Sequence, residues 1–141
     1  MATTVLLIDD DEDDAHFFSE ALDQLPLDTA FEYCSSGEQA LQKLMHKEFR
    51  FPEIIFLDLN MPVVNGWECL REIKKIAGMQ QIPIIMYSTA DLNKSGFSPV
   101  DVGAAAFYQK SNSFRELKTS LENLLRIFCP GGGSSLTSRL L

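Results

Sequence analysis

Five short apolar runs, at residues 5–8, 31–34, 54–57, 82–87 and 104–108, are separated by stretches of helical periodicity, and this alternation constrains the fold more than any other feature of the chain. Each run has strand length, and several are rich in Ile, Val and aromatic residues, which suits strands buried on both faces. Between them, Ala15, Phe18, Leu22 and Leu25 recur at three- and four-residue steps along one helix face. Ala40, Leu41, Leu44 and Met45 do the same, as do Trp67, Leu70, Ile73 and Ala77. The last stretch is the most regular, with Phe114, Leu117, Leu121, Leu124, Leu125 and Phe128 on one side. Ser36 with Gln39 and Ser113 with Glu116 have capping-box spacing at two helix starts, and Cys129-Pro-Gly-Gly-Gly stops the final helix. The weak element lies at 91–103, which contains Gly96 and Pro99. Proline lacks a backbone donor and fits only a first turn, so a short, late-starting or irregular helix is expected there.

Strict alternation of strand and helix predicts an α/β domain whose parallel sheet is covered on both faces. Five such units fit a single doubly wound (βα)5 domain with the flavodoxin-like strand order 2-1-3-4-5. With 141 residues, ten Phe and a hydrophobic fraction of 45%, the chain can bury one core of ordinary size. The domain is expected over residues 1–129. The segment 130–141 is Gly- and Ser-rich at its start, follows a helix stop, and is expected to be a disordered tail. A net charge of −8 argues against a direct nucleic-acid partner, because phosphate binding needs clustered Lys and Arg. The apolar runs fall far short of the roughly 20 residues that a bilayer span requires, so no membrane partner is expected. Cys34, Cys69 and Cys129 show no CxxC spacing, and no basic-apolar signal segment opens the chain. A reduced, cytoplasmic protein is the expectation, with Cys34 and Cys69 packed as small apolar groups.

In a parallel α/β sheet the carboxyl ends of all strands share one edge, so residues just past each strand meet there even when distant in sequence. Asp9 and Asp10 follow the first run, Asp58 follows the third, the fourth runs into Ser88 and Thr89, and the fifth ends at Lys110. Carboxylates gathered in this way repel one another, and one would be driven to protonate unless a cation joined them. Oxygen-only ligands suit a hard divalent ion such as Mg²⁺, which completes its shell with waters and phosphate oxygens. A cation and a lysine beside a free hydroxyl can neutralise a phosphoryl group, and a central carboxylate can act as nucleophile. Asp58, on the middle strand, occupies that centre.

The segments Val5-Leu-Leu-Ile-Asp-Asp-Asp, Ile54-Ile-Phe-Leu-Asp-Leu-Asn-Met-Pro-Val-Val-Asn-Gly, Ile82-Pro-Ile-Ile-Met-Tyr-Ser-Thr-Ala and Phe107-Tyr-Gln-Lys together resemble the receiver domain of bacterial two-component response regulators, the CheY-like family. The resemblance extends over roughly residues 4–128. It implies a phosphorylation-dependent signalling switch of the stand-alone type, with no output domain in the chain. By the same resemblance, Asp58 is the phospho-acceptor, Asp10 a direct metal ligand, Asp9 a ligand through water and Asn60 a ligand through its backbone carbonyl. Asp58 itself is also a ligand, and the implied ion is Mg²⁺ or Mn²⁺. Ser88 would bond one phosphoryl oxygen and Lys110 another. Phe107 matches an aromatic switch position that swings inward when the Ser88 hydroxyl moves. The implied donor is a phosphohistidine on a sensor histidine kinase or phosphotransfer protein, and the output passes to a downstream protein partner. Such a chain catalyses its own phosphorylation and dephosphorylation without being a conventional turnover enzyme.

Two positions depart from the family pattern. Ser111 follows Lys110 where the family usually has Pro joined by a cis peptide; a cis bond before a non-proline costs about 2.5 to 4 kcal/mol, so it is expected either to be trans or to be held under strain. Thr89 is bulkier than the usual small residue and is expected to narrow access to the phosphoryl group. A passive interaction module of the same fold is a competing possibility, opposed by the complete set Asp9, Asp10, Asp58, Ser88 and Lys110. An aspartyl-nucleophile phosphohydrolase is another, but such enzymes place an acid/base Asp two residues after the nucleophile, where this chain has Asn60, which cannot do that work. No Gly-rich phosphate loop follows the first strand, which argues against a nucleotide site.

The remaining conspicuous residues have plainer explanations. Asp11, Glu12, Asp13 and Asp14 are expected as first-turn helix acids favoured by the macrodipole, and not as a second metal site. His16 and His46 fall on helices with no companion ligands, so surface or boundary positions are expected. Trp67 is expected to pack in the core or on a helix face. Asn65-Gly66 has the composition of a turn, with the glycine supplying unusual backbone angles near the site.

Overall fold

The computed structural model describes residues 2–46, 48–94, 96 and 98–130. Strands β1 (Thr3–Ile8), β2 (Thr29–Cys34), β3 (Ile54–Asp58), β4 (Ile84–Ser88) and β5 (Ala106–Gln109) alternate with helices α1 (Glu12–Asp23), α2 (Gly37–Met45), α3 (Gly66–Lys74), α4 (Pro99–Val102) and α5 (Phe114–Phe128). All neighbouring strands pair in parallel, in the order β2-β1-β3-β4-β5, which is the doubly wound topology expected from the alternation.

The two-residue strand period sorts the core into two layers. Leu6 and Ile8 of β1, Ile55 and Leu57 of β3, and Ile84 and Met86 of β4 face α2 and α3, where they meet Ala40, Leu44, Cys69, Leu70 and Ile73. Val5 and Leu7, Ile54 and Phe56, and Ile85 and Tyr87 face the opposite way, onto Ala15, Phe18, Leu22, Leu117, Leu121 and Leu125 of α1 and α5. Phe18 anchors that second layer, with ring centroids 5.0 Å from Phe56, 5.9 Å from Phe31 and 6.0 Å from Tyr87. A side chain of this size in a tightly packed layer costs about 3 to 5 kcal/mol to truncate to alanine. Cys34 and Cys69 are fully buried in the first layer as free thiols, as expected, and burial drives the Cys69 thiol up to about 12.

Local signals place most boundaries. The fourth strand starts at Ile84 and not at residue 82, because the Ile82 amide closes a turn on the Met79 carbonyl, and Pro83 offers only its carbonyl, which accepts from Ile55. The segment between β4 and β5 forms a single 3-10 turn at Leu92–Lys94 and the four-residue α4. Pro99 sits in the first turn of α4 after the cap Ser98, and Gly103 ends it with φ of 87°. The Ser36 and Ser113 hydroxyls cap α2 and α5 by accepting from the Gln39 and Glu116 amides at 3.0 and 3.1 Å. Neither makes the reciprocal half of a capping box. Gln39 Oε1 instead accepts from the Ser35 amide, and Glu116 Oε2 accepts from the Ser111 hydroxyl. The complete capping box belongs to Asn65 and Glu68 at the start of α3. No described peptide bond is cis, so the peptide between Lys110 and Ser111 is trans. The expected tail lies, beyond Pro130, outside the described residues, and no helix described is long and apolar enough to cross a membrane.

Candidate functional site

The parallel register brings the carboxyl ends of β1, β3, β4 and β5 to one edge: Ile8 lies opposite Leu57, Asp58 opposite Tyr87, and Ser88 opposite Gln109. Asp9 follows β1 directly and is fully buried, held by its amide to the Cys34 carbonyl and by its own carbonyl, which accepts from the Tyr33 hydroxyl at 2.8 Å. Asp58 and Ser88 are the last residues of β3 and β4, and both are buried. The Lys110 amide donates to the Ser88 carbonyl at 2.7 Å, which fixes the lysine backbone alongside β4.

Carboxylate oxygens of Asp9, Asp10 and Asp58 lie within 4.8 Å of one another. Asp9 and Asp58 are interior and Asp10 is exposed, so the group opens to solvent on one side. Lys110 reaches over it: Nζ is 3.0 Å from Asp9 Oδ2, 3.6 Å from Asp58 Oδ1 and 4.8 Å from the centroid of the Tyr87 ring. The Asp11 amide donates to Asp9 Oδ1 at 2.9 Å, and the Asn60 amide donates to Asp58 Oδ1 at 3.3 Å. The Ser88 hydroxyl accepts from the Ala90 amide at 3.1 Å, which orients its oxygen at the strand end.

One lysine does not balance this set. Burial raises both Asp9 and Asp58 above the ordinary carboxylate value, and the neighbouring Asp9 charge helps push Asp58 to about 7 despite Lys110 and the Asn60 amide. Burial alone would lower Lys110, but its bond to Asp14 and the charges of Asp9 and Asp58 outweigh that and raise it. The donor set is therefore all oxygen, electron-rich, partly open and short of positive charge, which fits a hard divalent cation.

Every residue expected at the site from the sequence lies on this edge or in the strand and loop that lead to it. Phe107 is on β5, half-buried, with its ring edge-on to Trp67 at 6.5 Å between centroids. Trp67 thus packs against the core, as expected, and against the candidate switch residue as well. His16 is exposed and bonded to Glu20, and His46 is the exposed C-cap of α2.

One expectation is extended and another corrected. Asp11 caps α1 by accepting from the Asp13 and Asp14 amides, and Glu12 and Asp13 are first-turn acids, but Asp14 also reaches into the site, its Oδ2 2.9 Å from Lys110 Nζ. It stands in the first turn of α1 beside Glu12 and Asp13, and nothing in the sequence separates it from those neighbours. Gly66 does not supply an unusual backbone angle, since Gly78, Gly96 and Gly103 are the described glycines with positive φ. It is the first residue of α3, where a β-carbon would stand 2.5 Å from the Asp58 carbonyl oxygen and 2.6 Å from the Leu59 α-carbon. The residue that does adopt positive φ in this loop is Val63, exposed and at 65°. Nothing in the sequence marks it, because β-branched residues rarely adopt that conformation.

A parallel sheet carrying carboxylates and a lysine along its carboxyl edge is the architecture of a receiver module, and comparison with known proteins agrees. The chain matches the family model of the response regulator receiver domain over residues 5–122, and it belongs to that family. The probable methanogenesis regulatory protein FilR2 of Methanothrix harundinacea is 28% identical over 127 residues, covering 85% of this chain and 79% of its own. The probable transcriptional regulator ycf29 of Pyropia yezoensis is 28% identical over 76% of this chain, which spans about half, 48%, of that relative. The phosphorylated cyanobacterial phytochrome response regulator RcpA shares the fold, with a TM-score of 0.79, 24% identity, and coverage of 97% of this chain and 98% of its own. The chain is therefore a two-component receiver domain, a module of phosphorylation-dependent signalling.

Proposed function

We propose that the chain is a phosphorylation switch that accepts a phosphoryl group on Asp58 from a phosphohistidine donor, with Mg²⁺ or Mn²⁺ at the carboxylate group. The observation that carries this is the position of Lys110 Nζ, 3.0 Å from Asp9 and 3.6 Å from Asp58, above three carboxylates that can share one ion. When bound, the metal supplies positive charge to the developing phosphoryl oxygens. Asp10 and Asp58 with the Asn60 carbonyl would hold it directly, and Asp9 through water.

The chain's own groups do the rest. An Asp58 carboxylate oxygen attacks phosphorus in line; the new P–O bond forms as the P–N bond breaks, and its electron pair returns to the donor imidazole, which takes up a proton from solvent. Lys110 offers its ammonium to one phosphoryl oxygen and Ser88 its hydroxyl to another. Movement of Ser88 toward that oxygen vacates space beside β4, and Phe107, now edge-on to Trp67, turns inward to fill it. The result is a changed surface around β5 for a protein partner.

On this account the chain turns over no small substrate of its own, and the donor is a histidine kinase or phosphotransfer protein. The phosphohydrolase alternative lacks an acid/base group two residues after Asp58, where Asn60 stands. Incubation with Mg²⁺ and acetyl phosphate, followed by intact-mass measurement, tests the proposal. One added phosphoryl group per chain is expected. An unmodified native protein, or sustained hydrolysis of a small phosphate ester, would count against it.

A further inference from the structure

The first turn of α1 contributes a carboxylate that the receiver chemistry just described does not use. Asp14 Oδ2 lies 2.9 Å from Lys110 Nζ, slightly closer than Asp9 at 3.0 Å and well inside the 3.6 Å to Asp58. An ammonium has three hydrogens. Two are engaged by Asp9 and Asp14, which leaves Asp58 beyond hydrogen-bond length. Asp9 is fully buried and fixed by the Asp11 amide, whereas the Asp14 side chain is 38% exposed and can turn to solvent at little cost. Asp14 is also outside the group of carboxylates close enough to share an ion, so its partner in the site is the lysine.

We propose, resting on the phosphoryl-accepting role of Asp58, that Asp14 is a positioning residue that holds Lys110 in reserve and competes with the Asp58 phosphoryl group for its ammonium. Before transfer, Asp14 draws the ammonium away from Asp58 and leaves the nucleophile oxygen less neutralised. After transfer, the lysine must leave Asp14 or be shared with it, so Asp14 limits how firmly the phosphorylated state is held. Neutralising Asp14 leaves Lys110 anchored by Asp9 and frees one of its hydrogens for a phosphoryl oxygen.

The test is a titration of the full chain with beryllofluoride, a phosphoryl mimic, at saturating Mg²⁺, followed by Trp67 fluorescence, Trp67 being the single tryptophan. Asp14→Asn is expected to tighten binding roughly threefold to tenfold at low ionic strength, with the gain shrinking at high salt. Asp14→Glu should stay near wild type, and Mg²⁺ affinity measured alone should not rise in Asp14→Asn, because the ammonium released toward Asp58 opposes the ion there. Asp13→Asn removes the same charge one residue away, from an exposed first-turn position, and should have a distinctly smaller effect. Unchanged or weakened beryllofluoride binding in Asp14→Asn overturns the proposal, as does an equal gain in Asp13→Asn, which would reduce the effect to general charge. Failure of the wild-type chain to bind beryllofluoride at all would overturn the phosphoryl-accepting role itself, an outcome separate from the other two.

Discussion

Gly66 and Asp58 touch backbone to backbone: a β-carbon on Gly66 would lie 2.5 Å from the Asp58 carbonyl oxygen, while the Gly66 amide donates to the Leu59 carbonyl at 2.9 Å. The start of α3 is thereby pressed onto the end of β3, where the candidate phospho-acceptor sits. The seven residues between Asp58 and Gly66 must close a loop over the site, and the capping box of Asn65 and Glu68 fixes its far end.

Gly66→Ala should therefore destabilise the protein by about 1 to 3 kcal/mol, the range for forcing atoms into a filled space. It should also slow modification of Asp58, because relief of the contact displaces the loop that carries Asn60. Urea unfolding read alongside the rate of labelling by acetyl phosphate checks both effects.

Asp58→Asn should abolish phosphorylation and stabilise the metal-free fold by on the order of 1 kcal/mol at pH 8. The Asp58 carboxyl is raised from 3.8 to about 7 in the fold, by burial first and then by Asp9. A raised acid favours the folded state while protonated: its contribution is fully present below pH 3.8 and is lost as pH rises through about 7. The permanently neutral Asn escapes that loss, so its urea midpoint should exceed wild type by more at pH 8 than at pH 5. Equal differences at the two pH values would contradict the electrostatic cause.

The fold was legible because the β-segments are short, mostly apolar runs, four of which lead into a polar residue, and a parallel sheet turns that pattern into a shared edge. Asp9, Asp10, Asp58, Ser88 and Lys110 could be placed on that edge without coordinates. Asp14 could not, since its bond to Lys110 spans 96 residues and depends on the angle at which α1 leaves β1, which hydrophobic periodicity does not encode. At Gly66 composition marks a glycine, but only packing distinguishes an unusual backbone angle from a close approach. The trans peptide after Lys110 likewise needed coordinates, and there the Ser111 hydroxyl accepts from the Ser113 amide and donates to Glu116, tying the strand end to the start of α5.

Binding of Mg²⁺ should release protons near neutral pH, because the ion replaces the proton that burial and Asp9 hold on Asp58. Affinity should weaken by up to about tenfold for each pH unit below about 6 and level off above about 8. Calorimetric titration in two buffers of different ionisation enthalpy measures the proton count directly. Chelation should return the thermal midpoint to its metal-free value.

Lys110→Met should lower stability by on the order of 2 kcal/mol at pH 8, because it leaves buried Asp9 and Asp58 without their compensating charge. The loss should shrink toward pH 5 as Asp58 protonates. Mg²⁺ affinity should rise in the same variant, since the lysine and the ion oppose each other over the same oxygens. Denaturation at both pH values and a Mg²⁺ titration check these opposite signs.

Whether Asp58 receives the phosphoryl group is decided by peptide mapping after incubation with Mg²⁺ and acetyl phosphate. One phosphoryl group per chain is expected, located at Asp58, dependent on the divalent cation and absent from Asp58→Asn. Modification of another residue, or equal labelling of the Asn variant, would contradict it.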